Sequence, residues 1–157
     1  RHGLYVADVN IPDLEQLSEM RLSLETLSAR FAAQRATPDD LVVLKALRQE
    51  QAAVPPEDSK RLFDVDHKFH QAVAQAAKNK YLAQTLERLF GQSRRLWYLV
   101  LPHMRYLPAA VEKHLDLVGA IEAGDVDQAA QIMYDHVKEF YDKVHETLLA
   151  KEEGEID

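Results

Sequence analysis

The chain contains no cysteine. Disulfides and thiolate zinc sites are thereby excluded, and the composition suits a reducing compartment, the cytoplasm. Basic residues are in deficit: 19 Lys and Arg stand against 26 Asp and Glu, for a net charge of −7. A face that binds a phosphate backbone needs the opposite balance, so this chain itself is not expected to grip DNA. No apolar run approaches the ~20 residues that cross a bilayer. The opening Arg1-His2-Gly3-Leu4-Tyr5-Val6-Ala7 lacks the apolar stretch of a signal peptide. It also lacks an initiator Met and reads as a fragment. Internal repeats, low-complexity segments, nucleophile elbows, phosphate loops and HExxH motifs are all missing. Glycine is scarce, five residues in 157, which leaves few places where a helix must break.

What is present favours helix. Apolar residues make up 46% and charged residues 29%, ordinary values for one soluble domain with a real core. Ala, Leu, Glu, Gln and Lys are abundant. Leu4-Tyr5-Val6 reads as a short strand or extended linker. Pro12, with Asn10 as cap, opens a helix over about 13–34 with the stripe Leu17, Met20, Leu24, Leu27 and Phe31. Thr37-Pro38-Asp39-Asp40 opens a second helix running to about Ala53, where Pro55-Pro56 breaks the chain. A third helix covers about 57–77. Asn79 either caps a fourth or turns the chain out of the third. The fourth runs to about Leu101, with Gly91 loosening its middle. Pro102 and Pro108 bracket a loop that holds His103 and Arg105. A fifth helix covers about 108–123; Gly124 then ends it and Asp125 caps a sixth, over about 126–150. The expected fold is all-α: an antiparallel bundle of about six helices joined by short connections.

Four polar residues interrupt the apolar stripes. Asp66 and His70 sit at i, i+4 in the third helix and so share a face. His114 stands in the stripe Val111, Val118, Ile121, and His136 in the stripe Ala129, Met133, Phe140, Val144. A lone His on an apolar face is usually a hydrogen-bonded core residue. Three of them and a carboxylate, all in phase and aimed at one core, form a ligand set for a divalent metal. Nitrogen and oxygen donors without sulfur suit zinc first, with nickel, manganese or iron as alternatives. His67 follows Asp66 but points about 100° away around the helix. It is assigned no part in the set, and neither are His2, His103 and His145.

The segments Asp66-His67-Lys68-Phe69-His70, Ala76-Ala77-Lys78-Asn79, His114, Ile121-Glu122-Ala123-Gly124-Asp125, Ala129-Ala130 and His136 together resemble the FCD domain. This is the effector-binding domain of FadR-subfamily regulators in the GntR superfamily. The six-helix count is more similar to the VanR-like branch. The resemblance covers about residues 12–150. It implies that residues 1–11 are the end of a winged helix-turn-helix whose remainder is missing here, and that 151–157 form an acidic tail. It also implies a homodimer that binds a small organic acid beside the metal. DNA would be reached only through the missing N-terminal domain, with no membrane involved.

Candidate effector contacts follow from the same residues. Arg21, on the first helix, can fork onto a carboxylate or pair with Glu25 at i+4. Arg95 fits the family's Arg-Leu-Trp run, while Arg94, Ser93 and Tyr98 are weaker candidates. Two other readings of the four ligands stand beside the sensor: a metal-dependent hydrolase, for which no separate general base stands out, and a structural metal in an interaction module.

Overall fold

The computed structural model describes residues 11–103 and 107–154. Among these the chain forms six α-helices: α1 (Ile11–Arg35), α2 (Pro38–Ala53), α3 (Ser59–Ala76), α4 (Lys80–Val100), α5 (Leu107–Ala123) and α6 (Val126–Glu152). A single 3₁₀ turn, Leu101–His103, follows α4. The all-α bundle expected from the sequence is the fold observed. The expected extended segment Leu4-Tyr5-Val6, the cap Asn10 and Arg105 lie outside the described residues. No helix among those described is long and apolar enough to cross a membrane.

The helix ends follow local chemistry. Thr37 caps α2 through a reciprocal box with Asp40: the Asp40 N–H donates to Thr37 Oγ1 at 3.2 Å, and the Thr37 N–H donates to Asp40 Oδ2 at 2.8 Å. Asp58 caps α3, a role the sequence reading left unassigned. Asn79 proves to be the cap of α4, accepting from the Tyr81 and Leu82 N–H groups. The left-handed turn out of α3 falls one residue earlier, at Lys78 (φ 56°). Gly124 takes the left-handed position after α5 (φ 68°), and the Asp125 N–H closes the turn on the Ala120 carbonyl. Helix α4 runs unbroken through Gly91.

The buried faces of α5 and α6 match the expected stripes in their main members. Phe69, Val73, Trp97, Leu117, Met133 and Val144 are among the most deeply buried side chains. Helix α1 departs from expectation. Met20 is 48% and Leu27 36% exposed, whereas Glu25, Ser28, Ala29 and Ala32 are buried. The inward face of α1 is thus rotated from its apolar stripe, because this helix supplies polar groups to the centre of the bundle. A main apolar cluster fills the bundle. A smaller one, Ala74, Ala77, Leu82 and Leu86, sits where α3 turns into α4.

Candidate metal centre

Helix α3 brings Asp66 and His70 to the bundle axis, α5 brings His114 and α6 brings His136. Their donor atoms all lie within 4.8 Å of one another. Nε2 of His136 is 3.0 Å from Nε2 of His114 and 3.3 Å from Nε2 of His70. Asp66 Oδ1 stands 3.1, 3.5 and 3.7 Å from the Nε2 atoms of His114, His70 and His136. Yet Asp66 Oδ1 makes no well-aimed hydrogen bond to any of them. The four atoms surround a common point more than they address each other. Donors about 2.0–2.1 Å from a tetrahedral ion lie about 3.3 Å apart, the middle of the observed range. His67, as its phase indicated, stays out of the set.

The far side of each ring explains the orientation. His70 Nδ1 contacts the Glu25 carboxylate at 3.1 Å, and His114 Nδ1 contacts the Gln51 side-chain oxygen at 2.9 Å. A carboxylate and a carbonyl accept, so both rings carry their proton on Nδ1 and turn the Nε2 lone pair inward. His114 also lies flat on Phe69, ring centres 4.1 Å apart. His136 Nδ1 is buried without a protein partner among the described residues. The sequence pattern gives Gln51 no role and Glu25 only a passing one, as the pair for Arg21. Neither residue type is unusual on a helix surface, so nothing in the pattern singled them out.

Glu25 is the electrostatic hub. Its other oxygen accepts from Arg21 at 2.9 Å, and Arg21 reaches the Tyr141 hydroxyl at 3.4 Å. Burial alone would raise the Glu25 carboxyl, but His70 and Arg21 outweigh it and hold it down at about 2. Burial would likewise lower His70, but Glu25 and Asp66 push it up to about 10. Burial carries His114 the other way, down to about 4. Without a bound cation, then, His70 takes a second proton, on Nε2, and together with Arg21 balances the two carboxylates.

The remaining predicted contacts are placed elsewhere. Arg94 and Tyr98 are both exposed and lie against each other on the outside of α4. Ser93 is buried, but its hydroxyl donates to the Leu89 and Phe90 carbonyls. None of these three lines a cavity at the site, to which α4 contributes Leu86, Phe90 and Trp97. The side chain of Arg95 lies outside the described residues. Arg21 is the predicted contact that does line the cavity, and it also pairs with Glu25. The cavity has a volume of about 440 Å³ between α1, α3 and α4, and Arg21, His70, Gln71, Lys80 and Phe90 are among its lining residues.

A family model described as the FCD domain matches residues 16–139. The chain is similar to the HTH-type transcriptional repressor RspR of Escherichia coli (strain K12), 26% identical over 147 residues, covering 93% of this chain and 64% of that protein. It is also similar to the putative L-lactate dehydrogenase operon regulatory protein of the same organism, 32% identical over 126 residues, covering 76% of this chain and 46% of that protein. The chain therefore spans less than two thirds of these relatives. Among solved structures it resembles E. coli McbR/YncC with a TM-score of 0.77 at 18% identity, over 89% of this chain and 68% of that one, a likeness of fold.

Proposed function

The chain belongs to the FCD-domain family of GntR-type transcriptional regulators, a family of regulators and not of enzymes, and from that premise we propose that it is an effector sensor loaded with a divalent metal. Asp66, His70, His114 and His136 would hold the ion, zinc by donor set. Bound there, the ion supplies a fixed positive charge and open positions for an oxygen ligand. The observation that carries the reading is the charge balance of the buried site. Arg21 is set against two carboxylates, Glu25 and Asp66. A divalent ion beside neutral histidines turns that deficit into an excess of one positive charge. A small organic acid would answer that excess, with Arg21, on the cavity wall, as the partner of its carboxylate.

By its differential affinity for two arrangements of the bundle, the acid would shift the equilibrium between them. In the cytoplasm, a homodimer would pass that shift to attached winged-helix domains, and DNA would be contacted through those domains alone.

The test is calorimetric titration of a panel of organic acids into metal-loaded and chelator-treated protein. An acid is expected to bind the loaded form, unaltered, and to lose at least about tenfold in affinity without metal. His114→Ala and His136→Ala should lose metal and acid together. Consumption of any acid, ester or phosphate would instead favour the hydrolase reading, and equal binding with and without metal would leave the ion a structural role.

A further inference from the structure

Two cavities meet at the ligand set, and they differ greatly in size. The outer one is that of about 440 Å³ between α1, α3 and α4. The inner one is about 20 Å³ and is lined in part by Asp66, His136, Trp97 and Tyr141. A single water requires about 10–15 Å³, so the inner cleft accepts a water-sized group and no organic acid. Arg21, His67, His70 and Phe90 line both cavities and so form the wall between them.

Half of that wall is fixed. Arg21 and His70 are joined through Glu25 at 2.9 and 3.1 Å, and the three side chains are 12%, 7% and 3% exposed. Parting charges that deep is costly, since each is left in a poor dielectric without its partner. The other half is loosely held. The His67 and Phe90 rings lie face to face, centres 3.5 Å apart and 10° from parallel. His67 is tethered to Glu87 at 3.2 Å, and the Glu87 side chain is 51% exposed. A contact to so exposed a carboxylate competes with solvent and holds weakly. Where the wall gives way, it gives way at His67.

We propose that His67 controls access to the inner side of the metal position: its ring, laid on Phe90 and tied to Glu87, closes the passage from the outer cavity, which His70 already lines, to Asp66 and His136 in the inner cleft. The inference rests on the reading of Asp66, His70, His114 and His136 as a metal site. A carboxylate arriving from the outer cavity meets His70 at its wall and must swing the His67 ring off Phe90 before it reaches Asp66 and His136. The residue next to a ligand therefore filters ligands by size and rate without touching the ion.

Co²⁺ alone serves as the probe, in the full chain, so the effector need not be known. Its transfer from the protein to excess EDTA is timed by loss of the visible absorption, and its equilibrium affinity is measured separately. His67→Ala is expected to speed transfer at least about tenfold while affinity stays within about twofold, because gating alters rates and not end states. His67→Phe keeps a ring on Phe90 and should stay near the parent rate; Glu87→Ala should fall between. A second readout needs no metal. Trp97, the one tryptophan of the chain, is 1% exposed and lines the inner cleft. Its quenching by acrylamide should rise at least about twofold in His67→Ala and not in His67→Phe. Unchanged transfer and quenching in His67→Ala overturn the gate. So does a loss of affinity in step with the rate, which would make His67 a support of the ligands. Failure of the parent to bind Co²⁺ would remove the metal site itself, and the gate with it.

Discussion

Glu25 is the residue on which the site turns. It is 2% exposed, and its two oxygens meet Arg21 and His70. Removing it leaves two cationic groups buried without their counter-ion, which costs about 3–5 kcal/mol. Urea unfolding of Glu25→Ala should show a loss of that order. The double variant Arg21→Met/Glu25→Ala should recover part of it, because the stranded guanidinium goes too. Glu25→Gln keeps an acceptor for His70 but not the charge. It should weaken metal retention about 10–100-fold, measured by competition with a fluorescent chelator. Affinity equal to the parent's would show that Glu25 does not support His70. The four candidate ligands were legible because each breaks an apolar stripe in phase with its neighbours. Glu25 and Gln51 were not, since a charge or an amide on a helix is ordinary until tertiary packing buries it.

Among the elements, the helices with strong caps were read most closely. Thr37 and Asp40 marked the start of α2, and Gly124 with Asp125 marked the turn into α6. Asp40 also pairs with Lys78 at 2.7 Å, tying the first turn of α2 to the end of α3. Slight burial would raise the Asp40 carboxyl, but hydrogen bonds from Lys78 and Thr37 outweigh it and hold it below its ordinary value. A carboxyl lowered on folding stabilises the protein above its ordinary pKa, and that contribution is lost as pH falls through the lowered value. Asp40→Ala should therefore cost about 0.5–2 kcal/mol at neutral pH. The gap from the parent, followed by urea unfolding, should close as pH drops below about 4; a gap constant with pH would rule out the ionised cap. Helix α1 follows its stripe only in part: Leu17, Leu24 and Phe31 pack against the core, while Met20 and Leu27 do not. Its sequence carries an apolar stripe, but burial there goes to Arg21, Glu25 and Ser28, and periodicity alone cannot rank a polar site above Met20 and Leu27.

For the molecule as a whole, the candidate ligands join helices that are remote in sequence. His70 and His114 stand 44 positions apart, and His114 and His136 stand 22 apart. A cation bound to the folded state and not the unfolded one stabilises by mass action, about 2.7 kcal/mol at a hundredfold excess over Kd. In a chain of this size that raises Tm by about 5–10 °C. Differential scanning calorimetry should show that rise on adding zinc to chelated protein and its reversal by EDTA, with His114→Ala insensitive to both. A Tm indifferent to chelator would count against a resident ion. The bundle and its all-α character could be read from the sequence; the cavities could not, because their walls join α1, α3, α4 and α6 through contacts that no local pattern encodes.

In mechanical terms, α1 is a beam held at both ends. It is 25 residues long, about 37 Å. Its later half rests at the start of α6, where Arg30 meets Asp127 at 3.0 Å and the Ala33 carbonyl faces Gly124. Small side chains, Ala29, Ala32 and Ala33, form the buried surface of that end and give it little to interlock. The first turn is held as well, by Leu14 at 3% exposure in the main core. Arg21 stands between the two supports, on the cavity wall. A pull at the guanidinium would therefore be shared by both ends of the helix.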